Sequence, residues 1–182
     1  MTDKDVLRKY VSDMHATESH IRQAISEQMT LANKDPEAKQ KFTEFQATLK
    51  AHLSSLEARL KVLGGNPANP IKDAGATVLG AAAGLIDKVR ANEISKDLRD
   101  DYTALNLSVI SYMMLNATAK AVGDQETATL AEQNAKDNAD FVMWINNNIA
   151  RFLVKDLQDS GAQLNAAAEQ ASMSIAHDIW TQ

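Results

Sequence analysis

Turn-forming residues in this chain of 182 amino acids gather at a few joints, and the distances between those joints restrict the fold more than any other feature. Only three prolines and seven glycines occur. The stretch from about Lys4 to Asn33 reads as one unbroken helix. Asp35, Pro36 and Glu37 then supply an N-cap, a first-turn proline and a first-turn acid for a second helix. Its apolar residues Phe42, Phe45, Leu49, Leu53, Leu56, Leu60 and Leu63 keep the three-and-four spacing of one helix face. It stops at Gly64-Gly65, followed by Asn66-Pro67 and Asn69-Pro70, the strongest break in the chain. A third helix starting near Asp97 buries Leu105, Val109 and Tyr112, and Gly123-Asp124 both closes it and caps a fourth. The fourth carries Leu130, Phe141, Ile145 and Phe152, with Asn134, Asp137 and Asn148 interrupting the stripe. After Ser160-Gly161, a last amphipathic helix places Leu164, Ala168, Ala171, Ile175 and Ile179 on one face. No strand pattern, repeat or low-complexity tract competes with this reading.

Two of these joints are very short, so helices one and two form an antiparallel hairpin, as do three and four. Between the hairpins lie about thirty residues, Gly64 to Lys96, with a helical stretch of their own around Ala76 to Arg90. A helix of ~27 residues is ~40 Å long at 1.5 Å per residue. A connection of this length can return the chain to its starting end and run helix three parallel to helix two. The expected architecture is all-α, a four-helix bundle of two hairpins with a long crossover and an extra C-terminal helix.

Composition narrows the function. There is no cysteine, which removes disulfides, thiolate zinc sites and cysteine nucleophiles. The start, MTDKDVLRKY, has no apolar core of a secretory signal, and a cytoplasmic location is expected. The uncharged Gly/Ala-rich stretch Ala74 to Ile86 is too short to span a bilayer. The net charge is −5 and basic residues are scattered singly, which speaks against nucleic acid as a partner. No serine or threonine has a His-plus-acid pair at helical spacing, and no phosphate-cradling loop is present.

Glu18 is the residue that asks for an explanation. The first helix has an apolar stripe at Val11, Met14, Ile21 and Ile25, and Glu18 falls on it, four after Met14 and three before Ile21. A carboxylate facing a core is costly unless it is paired, protonated or bound to metal. His52 flanks the Leu49–Leu56 stripe as a partner for such an acid, with Asn134 or a buried water as alternatives. His15 and His20 bracket Glu18 in sequence but point to other helix faces, and His177 carries no signal. Met113, Met114, Met143 and Trp144 read as core packing.

The stretches AHLSSLEARLKVLGGNP, RDDYTALNLSVISYMML and AVGDQETATLAEQNAKDNADFVMWINNNIARF resemble bacterial ferritin-like proteins. They are most similar to the stress-associated branch catalogued as a domain of unknown function, over roughly Val6 to Asp156. The resemblance implies a ferritin-like four-helix bundle over residues 1–158, with residues 159–182 as the C-terminal amphipathic helix. It also implies an often dimeric protein linked to stress responses, with a di-iron site in some members. Glu18 matches the helix-one ligand. In helix two the acidic turn before His52 reads Gln46, Ala47 and Thr48; in helix three the glutamate position falls on Ser108, with Asn106 two residues before. In helix four Asp137 occupies the acidic position and Asp140 stands where a histidine could follow. Glu18, His52, Asp137 and Asp140 are therefore the metal candidates, and they are too few carboxylates for a dinuclear site.

The expectation is a non-enzymatic stress-response protein with a degenerate di-iron site and no cofactor, acting through self-association, as a dimer, or through partner binding. One alternative is a metal-dependent oxidase or iron-handling protein with a carboxylate site rebuilt from those four residues. The other is a peripheral membrane bundle using either the crossover, with Val78, Ala82, Leu85, Ile86 and Val89 along one side, or the C-terminal helix. The absence of Lys or Arg after Lys155 speaks against anionic lipid as a partner.

Overall fold

The computed structural model describes residues 2–66, 93–165 and 167–180. Five helices follow one another: α1 (Asp3–Ala32), α2 (Pro36–Val62), α3 (Ile94–Ala121), α4 (Gln125–Asp159) and α5 (Ala168–Trp180). Among the described residues there is no strand. The crossover stretch expected around Ala76 to Arg90, with its apolar side from Val78 to Val89, lies outside the described residues.

Each joint is built as its residues require. Thr2 opens α1 with a reciprocal capping box to Asp5, and the Asp35 carboxylate accepts from the Ala38 amide at the start of α2. At the end of α2, Gly64 takes φ +79°, which L side chains rarely adopt, and the Gly65 amide reaches back to the Leu60 carbonyl. The α3–α4 turn repeats the device: Gly123 has φ +76°, the Asp124 amide reaches the Ala119 carbonyl, and the Asp124 side chain caps α4 by accepting from the Thr127 amide.

The helices form a bundle in which α1 lies beside α2 and α3, and α4 beside α2 and α3. Contacts fix the directions. Gln28, late in α1, meets Asp101, early in α3, while Glu18 meets Ser108; α1 and α3 are antiparallel. Since α1 and α2 form a hairpin, α2 and α3 run parallel, as the long connection between them allows.

Two arginines tie the hairpins together at opposite ends. Arg59, almost fully buried, extends from the last turns of α2 to the start of α4. There its guanidinium donates to the Thr127 hydroxyl at 2.6 Å, to Glu126 at 2.6 Å and to the capping carboxylate of Asp124. At the other end, Arg151 of α4 pairs with Asp35 at 2.8 Å and Glu37 at 3.1 Å, the cap and first turn of α2. Each arginine meets acids at a helix N-terminus, where negative charge is already favoured. Arg59→Ala should cost about 2–3 kcal/mol in urea denaturation, below the figure for a fully buried pair because Glu126 is largely exposed. An unchanged midpoint would show that the clamp contributes nothing.

The core is divided. One apolar cluster holds Leu7, Val11, Met14, Leu56, Leu60, Leu115 and their neighbours. The other holds Ile21, Ile25, Phe42, Phe45, Leu49, Leu105, Phe141 and Ile145. In the second, Phe141 stacks on Phe45 at 4.0 Å between ring centroids, and Trp144 packs against Phe141 and Phe152. Met113, Met114 and Met143 do not join either cluster. They are 56%, 50% and 45% exposed, so the core role read for them is corrected: they sit on the outer faces of α3 and α4, and Trp144 alone of that group packs inward.

Candidate functional site

Between the two apolar clusters lies a layer of polar side chains, one or more from each bundle helix. Val11, Met14, Ile21 and Ile25 are buried as their spacing requires, which carries Glu18 into the centre with no exposed surface. Its two oxygens are both engaged. Oε2 lies 3.2 Å from His52 Nδ1 of α2. Oε1 accepts from the Ser108 hydroxyl of α3 at 3.1 Å and from Asn138 Nδ2 of α4 at 2.7 Å. Asn138 Nδ2 also donates to Ser108 Oγ at 2.9 Å. Turning the Asn138 amide over would set its oxygen against the Glu18 carboxylate, so the donor orientation follows from charge.

His52 bridges two acids. Its Nε2 lies 3.1 Å from Asp137 Oδ2, on the opposite side of the ring from Glu18. An ionised carboxylate only accepts, so a ring bonded to one at each nitrogen carries a proton on both. Burial opposes that charge, but hydrogen bonds and charge from Glu18 first, then Asp137, more than offset it and hold His52 above its usual pKa. Asp137 is half-buried and its other oxygen accepts from Gln133 at 2.9 Å. Tyr112 stands edge-on to the His52 ring and accepts from Asn134 Nδ2 at 3.0 Å. Burial, then the nearby Glu18 charge, push its phenol pKa well up, so it remains protonated.

The sequence-derived candidates thus separate. Glu18, His52 and Asp137 are joined in one hydrogen-bonded chain. Asp140 is exposed and stays outside it, beside a shallow surface groove that Asp137 shares with Lys41, Glu44 and Thr48. Asn134 partners Tyr112 rather than Glu18. His15 is apart from the layer, 3.4 Å from Glu57. Ser108 is a member through its hydroxyl. Asn138 was not singled out from the sequence, although its four-three-four spacing with Asn134, Phe141 and Ile145 was the available signal.

A dinuclear metal site in a helical bundle needs convergent carboxylates with open lone pairs. Here the buried positions around Glu18 are filled by a hydroxyl, an amide and an imidazole whose nitrogens both face carboxylates. Among the described residues, no three His, Asp or Glu side chains converge as a metal site requires. The residues present do not suit a pair of iron ions. What the arrangement does chemically is neutralise and immobilise one buried carboxylate.

A second buried polar group lies near the far end of α1. Gln28 Nε2 donates to Asp101 Oδ1 at 3.0 Å, while Gln28 Oε1 and Asp101 Oδ2 find no hydrogen-bond partner among the described residues. Burial, reinforced by the charges of Asp97 and Asp100 against the Gln28 bond, pushes Asp101 up to about 8.

Fold and site together define an all-helical bundle with a buried, hydrogen-bonded polar layer between two apolar clusters. The chain belongs to the family described as a domain of unknown function (DUF892), which matches residues 2–158. Among solved structures it is similar to a protein of Xanthomonas campestris pv. campestris, at 18% identity and a TM-score of 0.72, over 88% of this chain and all (100%) of that one. At that identity the likeness extends to the fold. Comparison with curated proteins gave no match. No helix among the described residues is long and apolar enough to cross a membrane.

Proposed function

We propose that this chain is a ferritin-like protein of the bacterial cytoplasm that acts without catalysis, through self-association or partner binding in a stress response, with a degenerate di-iron site. The observation that supports this reading is the saturation of Glu18. Its oxygens take three protein donors, and the one imidazole beside it is occupied at both nitrogens. A metal ion would have to break these bonds and would gain only one or two anionic ligands in return. The family and fold matches agree with the bundle and are silent on activity.

Self-association is favoured by α5. It packs on α4, yet Ala171 and Ile179 of its apolar face remain exposed, as do Leu153 and Leu157 of α4. Exposed apolar surface of this kind commonly meets a second copy in a symmetric dimer.

Two measurements test the proposal. Elemental analysis of the purified protein should find well under one iron per chain, with negligible ferroxidase activity. Light scattering should find a dimer. Two tightly bound metal ions, lost in Asp137→Ala, would instead favour the metal-handling alternative, and a monomer at high concentration would remove the self-association.

A further inference from the structure

The two hairpins share a register that neither helix shows alone. Counted from the N-caps Asp35 and Asp124, Leu49 and Asn138 both stand fourteen residues in, and His52 and Phe141 both stand seventeen. Counted back from the same caps, Glu18 lies seventeen residues before one and Ser108 sixteen before the other. All six side chains are buried. Hydrogen bonds hold Glu18, His52, Ser108 and Asn138 at one level, and Leu49 and Phe141 belong to the apolar cluster against that level. The pattern is two-fold: one position from each first helix of a hairpin, and a pair three residues apart from each second helix.

Carboxylate-bridged dinuclear bundles use this same layout, with an acid from each of two helices and an acid-x-x-His pair from each of the other two. We propose that residues 18, 49, 52, 108, 138 and 141 are the six positions of a dormant dinuclear cradle. Glu18 and His52 are its surviving ligand types, and the two are hydrogen-bonded to each other. This assignment rests on the closed-core reading above and adds the register to it. Asp137 and Asp140 each fall one residue short of a cradle position, about 100° around the helix from Asn138 and Phe141. Asp137 meets His52 Nε2 from the groove side and Asp140 lines the groove, so neither occupies a missing ligand position.

The replacements are chemically consistent. Ser108 and Asn138 present donors to Glu18 where bridging acids would present oxygens. Leu49 and Phe141 are apolar, and Phe141 stacks on Phe45. With three acid positions and one imidazole position replaced, the layer keeps one imidazole against one fully buried carboxylate.

Restoring the ligands tests the register. In anaerobic cobalt(II) titrations, the unmodified protein should bind well under one ion per chain, whereas L49E/S108E/N138E/F141H should bind about two, with carboxylate-type d–d absorption that H52A in the same background weakens. A quadruple variant that is helical by circular dichroism yet binds no more cobalt than the unmodified protein overturns the assignment and leaves the closed-core reading standing. Two cobalt ions on the unmodified protein overturn both. Since uncompensated buried acids oppose folding, S108E/N138E refolded with and without cobalt gives a second readout. A cobalt-dependent rise in Tm is expected; equal melting, or failure to fold in both conditions, counts against the cradle.

Discussion

Glu18→Leu is expected to destabilise the protein by about 3–5 kcal/mol, the cost of removing one partner from a buried ionic network. The leucine would continue the Met14–Ile21 stripe, and replacing an isolated buried acid in this way is often neutral. Here the acid is not isolated. Its loss strands the His52 Nδ1 proton, the Ser108 hydroxyl and an Asn138 amide proton in a buried layer between two apolar clusters. His52 can shed its proton and retain the bond to Asp137, so the imidazole contributes less than its charge would suggest. The two neutral donors have no such escape. Chemical denaturation at neutral pH, with and without chelator, should show the same large loss in both. A chelator-sensitive loss would mean a metal at the layer, and no loss would mean that the network is dispensable.

Asp101→Asn should act in the opposite direction, and only as the pH rises. The unfolded carboxyl titrates near 3.8, whereas burial holds the folded one at about 8. Below the lower value both states carry the proton and no linkage cost arises. Between the two values the folded chain retains a proton that the unfolded chain has released, so stability falls with each pH unit, and the loss is complete above the upper value. Asparagine keeps an acceptor for Gln28 and removes the titration. The variant should match the parent near pH 4 and exceed it by about 2–4 kcal/mol at pH 8.5, part of the full linkage being forfeited to the imperfect fit of the new amide. A constant difference across this range would show that Asp101 is ionised in the folded protein.

Much of the bundle is legible in the sequence because breakers and periodicity report backbone geometry locally. Gly64 and Gly123 with their following residues mark where helices end, and the thirty-residue connection allows α2 and α3 to be parallel. The stripe carrying Glu18 likewise identifies a buried acid. What escapes is the register of α2 and α4 at the polar layer. The resemblance places the acidic turn of helix two at Gln46 to Thr48, yet the buried position one turn before His52 is Leu49. In α4 the charged Asp137 drew attention from the neutral Asn138 beside it, and a shift of one residue turns a side chain by about 100°. Charge is conspicuous in a sequence, but the core selects by direction. The outward-facing methionines of α3 and α4 fail for the same reason: residue type suggested burial, and the helix phase decided otherwise.

The unequal chemistry of the two hairpins bears on how copies of this chain can recombine. The first hairpin brings an anion and an imidazole to the layer, and the second brings a hydroxyl, an amide and a half-exposed acid. Each half supplies what the other lacks. A like-with-like pairing of two first hairpins from separate chains would set one Glu18 against another in a buried centre that lacks the Ser108 and Asn138 donors. Pairing two second hairpins would leave Ser108 and Asn138 without the fully buried carboxylate that accepts from them. Despite their common register, the halves are thus complementary rather than interchangeable, and strand exchange between chains is tolerated only when a first hairpin meets a second.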